Sequence, residues 1–224
     1  MNLENYKKIV ELQHSFNILA IGEKYLELNL NWNSAIIAES GEMLDSLGYK
    51  WWKHQEVDLD NAKVEAIDLL HFVISKWLQF FYSHSAGLNI KAMVAEVFFD
   101  EFENNKELKQ IERMNLFKLI DELCSSKMSA FMVLKEIFKK LEMSNEDVYI
   151  AYIVKNCLNK FRQDNGYKEG TYQKIWIDKE DNVFAYELAK NIGADENLFD
   201  LLYADLEATY SYYFKSCLKN GNSN

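Results

Sequence analysis

A chain of 224 residues with a formal net charge of −10 and 49% hydrophobic side chains has enough apolar material for a sizeable core. The acidic balance argues against a duplex nucleic-acid partner, which favours a basic footprint. Cys124, Cys157 and Cys217 are too scattered for zinc or iron–sulfur ligation and read as free thiols, and no apolar run approaches the roughly 20 residues of a membrane span, so no membrane partner and a cytoplasmic location are expected.

Proline is absent, which removes the commonest helix breaker, and apolar residues recur at helical spacing along most of the chain. Ile9, Leu12, Phe16 and Leu19 mark a helix from Leu3 to about Ile21. A second helix is expected from about Trp32 to Leu47, with Asn31 as N-cap and Gly48 as stop. A third runs from near Asp60 through Tyr82 on the stripe Val64, Ile67, His71, Ile74 and Leu78. After a turn at Ser83 to Leu88, a helical pair is expected over Asn89–Phe102 and Glu107–Cys124, then a helix over Ser129–Leu141. Ser144 and Asp147 form an aspartate version of a capping box, opening a helix that reaches Phe161 or beyond. Asp164 to Tyr172, with Gly166 and Gly170, reads as a shaped loop. Thr171 to Trp176 is compatible with either extended chain or a further helical turn. Two last helices are expected over Val183–Ile192 and Glu196–Leu218, with a fraying tail at 219–224. The fold class is an all-α multi-helix bundle, one domain over 1–224, in which 83–143 reads as a helical insertion.

One spacing repeats. Glu39 and Glu42 are three apart, as are Glu65 and Asp68, so each pair occupies one helix face beside apolar residues. A carboxylate entering an apolar environment raises its pKa, finds a cation or binds a metal. Four on two facing helices would suit Mg2+, which prefers carboxylate and water oxygens. Acids facing solvent, some paired with Lys50, Lys53 or Lys63, fit the same spacing, and Asp45 reads as a solvated or helix-terminal residue. His71 reads as a satisfied core histidine or as a group orienting a carboxylate.

A second segment supplies donors. Lys155, Asn159 and Arg162 share a helical face, and Lys168, Tyr172 and Lys174 follow. An arginine fork with lysine point charges suits a polyphosphate, while ordinary surface basicity suits the same pattern. Trp51 and Trp52 offer faces for a nucleobase or for packing. Gln13 and Asn17, four apart, could read a base edge; as isolated amides they are more often exposed or locally hydrogen-bonded.

In this order, Ala38-Glu39-Ser40-Gly41-Glu42, Glu65-Ala66-Ile67-Asp68, Leu158-Asn159-Lys160-Phe161-Arg162-Gln163, Gly166-Tyr167-Lys168-Glu169-Gly170-Thr171-Tyr172 and Lys174-Ile175-Trp176 resemble the dimeric all-helical dUTPases. Those enzymes belong to a wider pyrophosphatase family that includes the MazG-like proteins. The resemblance implies antiparallel acid-bearing helices, with Glu39, Glu42, Glu65 and Asp68 holding magnesium and Glu42 activating water. It implies hydrolysis of dUTP to dUMP and pyrophosphate by attack at the α-phosphorus, hydrolysis of dUDP, and a homodimer. Arg162, Lys168, Tyr172 and Lys174 would contact phosphate with Asn159 nearby; Gln13 and Asn17 would meet the uracil end, and Trp52 and Trp51 would line the pocket. The alternatives are the same chemistry on dCTP or a modified nucleotide, and a non-catalytic helical interaction module.

Overall fold

Short polar side chains open the helices. In the computed structural model, which describes residues 1–104, 109–125, 129–176, 178–193, 195 and 197–215, α1 (Leu3–Ile21) starts on a reciprocal Asn2–Asn5 capping box. Asn31 accepts from the Ser34 backbone N–H to start α2 (Trp32–Ser46), and Asp58 accepts from that of Asn61 to start α3 (Leu59–His84). Asn89 caps α4 (Ile90–Phe99), which runs on into a wider turn over Asp100–Asn104. Each such cap satisfies an otherwise orphaned N–H and contributes about 1 kcal/mol. Gly48, at φ 66°, ends the segment after α2 in the left-handed conformation expected of a helix stop.

The helix expected over Glu107–Cys124 is broken. Within the described residues it is α5 (Lys109–Glu112) followed by α6 (Leu116–Ser125). The physical reason lies at Asn115, whose side chain accepts from the Lys118 N–H and so caps a new helix rather than continuing the old one. α7 covers Ala130–Lys140 and α8 Asn145–Asp164. The aspartate capping box is present: Asp147 N–H donates to Ser144 Oγ at 3.1 Å, and Ser144 N–H donates back to Asp147 Oδ2 at 2.8 Å. Thr171 to Trp176 is extended rather than helical. Ile175–Trp176 (β1) pairs antiparallel with Lys179–Glu180 (β2), and the chain then enters α9 (Asp181–Ile192) and α10 (Leu198–Tyr210). Glu107, Glu196, Cys217, Leu218 and the tail 219–224 lie outside the described residues.

The chain divides into two units, Met1–Tyr149 and Ile150–Asn224. In the first, α3 is the central element, packed by α1, α2, α4 and α7. It buries Ile67, Leu70, Val73, Ile74 and Leu78, each large aliphatic side chain contributing roughly 1.5–3 kcal/mol. α2 runs antiparallel to α3: Trp32 Nε1–H at its start donates to Gln79 Oε1, while Ser46 at its end accepts from Asn61 Nδ2. The second unit centres on rings: Phe161 meets Tyr172, Trp176 and Tyr210 edge-on, Tyr172 stacks on Tyr210, and Trp176 lies tilted against Tyr210. Cys157 is a buried thiol in this unit, its pKa pushed up to about 12 by burial. No helix among the described residues is long and apolar enough to cross a membrane.

Candidate active site

The antiparallel α2–α3 pair decides which acids meet. Glu39 and Glu42 descend one face of α2, and Glu65 lies on the first turns of α3, where the end of α2 arrives. One carboxylate oxygen from each of Glu39, Glu42 and Glu65 lies within 4.8 Å of the others. Glu65 is 8% exposed, Glu39 half-buried and Glu42 exposed, so the group has a dry floor and an open side. Asn61 fixes the floor: its Nδ2 donates to Glu65 Oε1 at 3.1 Å and to Ser46 Oγ at 2.7 Å, while Ser46 donates to the Glu42 carbonyl. Asp68, one turn beyond Glu65 and half-buried, is outside this compact trio. Lys50 pairs with Asp45, whose pKa is lowered by that contact, and Lys63 lies 3.7 Å from Asp60. All three carboxylates bring hard oxygen donors together, the donor chemistry that Mg2+ requires.

Further along α3 the character changes. Gln13 and Asn17 on α1 are each 3% exposed, so they are buried amides rather than surface ones. Gln13 Nε2 donates to Asn17 Oδ1 at 2.9 Å and to Ser75 Oγ at 3.1 Å, and Asn17 Nδ2 donates to Ser75 Oγ at 2.9 Å. His71 Nδ1 lies 2.5 Å from Gln13 Oε1, an acceptor, which places the ring proton on Nδ1. His71 therefore braces an amide and not a carboxylate through that nitrogen. Asn17 also hydrogen-bonds the Tyr25 hydroxyl, which in turn lies 2.7 Å from His14 Nδ1. Burial pushes the Tyr25 pKa up to about 12 and the Asn17 contact pulls against it. Both amide donors of Gln13 are committed, its oxygen meets His71, and the Asn17 oxygen accepts from Gln13.

Trp51 and Trp52 follow α2 in an exposed segment, 89% and 60% exposed, with Trp52 edge-on to both Trp51 and Tyr49. A cavity of about 420 Å³ lies at the opposite end of the α2–α3 pair, lined by Asn31, Trp32, Lys76, Gln79, Phe80 and His84 among others; no candidate residue from the sequence borders it.

In the second unit Arg162 is not a simple surface cation. Its Nε and Nη2 donate to Asp181 Oδ2 and Oδ1 at 2.8 and 2.7 Å. Burial alone would lower its pKa, but the Asp181 contact outweighs that and raises it. The Tyr172 hydroxyl also donates to Asp181 Oδ2, at 2.8 Å, and burial followed by that carboxylate raises the phenol pKa. Lys168 and Lys174 are exposed, with Lys174 Nζ 5.3 Å from the centre of the Tyr167 ring; Asn159 is half-buried on α8. Sequence reasoning missed Asp181, Ser75 and Asn61. Ser75, one helical turn after His71, carried a signal, since it mirrors the four-residue spacing of Gln13 and Asn17.

No curated protein matches the sequence. A family model described as dUTPase matches residues 5–167, a span that holds the carboxylates, the buried amides and Arg162 and stops before Lys168, Tyr172 and Lys174. The match covers most of the chain, which belongs to the all-α dUTPase family and is a dUTP diphosphatase.

Proposed function

We propose that the chain hydrolyses dUTP to dUMP and pyrophosphate, and dUDP to dUMP and phosphate, with magnesium held by Glu39, Glu42 and Glu65 and supported by Asp68. The observation that carries this reading is the trio of carboxylate oxygens within 4.8 Å, drawn from two helices of a dUTPase-family chain. Such a cluster is costly in the folded protein unless a cation offsets the repulsion. Magnesium, when bound, neutralises phosphate charge and lowers the pKa of water.

The chain's own residues do the rest. Glu42, the exposed member of the trio, accepts the proton of the attacking water. The water oxygen bonds to the α-phosphorus as the bridge to the β-phosphorus breaks, and pyrophosphate leaves. Arg162, Lys168 and Lys174 contribute donors for phosphate oxygens, with Asn159 beside Arg162 on α8. The amides of Gln13 and Asn17 offer donors and acceptors to the imide edge of uracil, a pattern that cytosine partly reverses, and a mismatched buried partner costs roughly 1–3 kcal/mol. The chain acts as a homodimer in the cytoplasm.

Incubation with dUTP and magnesium, read by separating nucleotides, is expected to yield dUMP and pyrophosphate, and with dUDP to yield dUMP and phosphate. Chelation should stop both. Turnover unchanged by chelation would remove the metal assignment, and preference for dCTP over dUTP would reassign the base. Sedimentation checks the dimer.

A further inference from the structure

The ion pair between Arg162 and Asp181 joins residues 19 apart in sequence, one near the end of α8 and one at the first position of α9. Asp181 is the more deeply placed: its side chain is 1% exposed, against 14% for Arg162. Three features hold it. Its backbone N–H donates to the Lys174 carbonyl at 2.8 Å, closing the β1–β2 hairpin back on itself. Its carboxylate stands at the N-terminus of a 12-residue helix, where the helix dipole favours negative charge. Tyr172, which donates to it, is itself fixed by stacking on Tyr210 with ring centres 5.3 Å apart and by the edge of Phe161.

A guanidinium has five N–H donors in a rigid fork. Asp181 engages the Nε side, using Nε–H and one Nη2–H. The Nη1 hydrogens and the second Nη2 hydrogen form the remaining edge. A freely rotating arginine could present any edge to a phosphate; this one cannot. Tyr172 is in a different position, since its single hydroxyl proton is already directed at Asp181 and the residue is 8% exposed.

We propose that Asp181 is a positioning residue for phosphate binding: it fixes which edge of Arg162 meets the nucleotide, and Tyr172 acts through Asp181 rather than on the substrate. This rests on the reading of Arg162 as a phosphate contact. It replaces the direct role that the family resemblance gave Tyr172.

The test is steady-state kinetics of the full chain on dUTP with magnesium, for R162A, R162K, D181N, Y172F and the double variants R162A/D181N and Y172F/D181N. R162A is expected to raise KM about tenfold or more, the worth of a lost charge-assisted contact. D181N should raise KM comparably with a smaller change in kcat, and R162A/D181N should be no worse than R162A, because Asp181 has nothing left to position. R162K should resemble R162A, since a point charge lacks the fork. Y172F should lose less than D181N and add nothing to it. Multiplicative losses in R162A/D181N, or near-normal D181N beside a damaged R162A, would overturn the positioning role. So would R162K with wild-type KM, and this variant decides the matter if D181N fails to fold by circular dichroism. A Y172F loss that persists in the D181N background would put Tyr172 back on the substrate. Wild-type KM in R162A has a separate meaning: Arg162 is then not a phosphate contact, and the parent reading falls with the proposal.

Discussion

α3 carries two polar regions that solve opposite problems. In its first turns Glu65 meets Glu39 and Glu42, three like charges whose carboxylate oxygens lie within 4.8 Å. Two turns on, His71 and Ser75 meet Gln13 and Asn17 in a buried hydrogen-bonded network. The network helps to hold the fold, because each member would leave a buried partner unsatisfied if removed. The acids are instead like-charged groups that the packing of α2 on α3 brings together, with Asn61 donating to Glu65. Like charges gathered this closely belong where function needs them, so the acid region should be expendable for folding and indispensable for turnover, and the amide region should matter for both.

Glu42→Ala should break that comparison most visibly. Turnover of dUTP is expected to fall by about 10²–10⁴-fold, the range for removing a general base. Metal-free thermal stability should be unchanged or higher, because one of three like charges is gone. In the parent chain saturating magnesium should raise the melting temperature, since a ligand at 100 times its Kd adds about 2.7 kcal/mol. The increment should shrink in the variant. A variant with near-normal turnover would take Glu42 out of the reaction, and one that melts well below the parent without metal would show that the acids stabilise the fold.

What could be read from sequence tracks the range of the interaction. Helices α1, α2 and α8 were legible because periodicity and caps are local: Asn31, Gly48 and the Ser144–Asp147 box each act within a few residues. The break at Asn115 was not, since Ile111, Leu116 and Leu119 continue an apolar stripe through it, and only the side-chain bond to Lys118 N–H reveals the restart. The paired acids were legible as pairs. Which of the four close up depends on how α2 meets α3, and spacing along one helix is silent on that. Gln13 to Ser75 spans 62 residues and Arg162 to Asp181 spans 19; spacing along one segment marks a candidate such as Ser75 but does not say which distant residue it meets.

Gln13→Ala sharpens the comparison from the other side. It removes the partner of His71 Nδ1 and a donor to both Asn17 and Ser75. Stability should fall by about 1–3 kcal/mol, measured by urea denaturation, as buried groups lose their partners. The KM for dUTP should rise and the preference for dUTP over dCTP should narrow. Loss of stability with base preference intact would make the network structural only.

The smallest effect is expected at the edge of this network. His14 is half-buried, and burial, then Lys91 on α4, lower its pKa below the usual histidine value, while Glu11 on α1 opposes them. The folded chain thus favours neutral imidazole, which can accept from Tyr25 at Nδ1. In the unfolded chain His14 takes up a proton near pH 6.5, and in the folded chain only at lower pH. Between those values the unfolded state binds more protons, so the contribution of His14 to stability is complete above about pH 6.5 and is lost as pH falls through the folded pKa. Melting temperature should drop on going from pH 7.5 to pH 5, and His14→Gln, neutral throughout, should flatten the decline. An equal slope in the variant would assign the acid sensitivity to other groups and leave the amide network insulated from this half-buried imidazole neighbour.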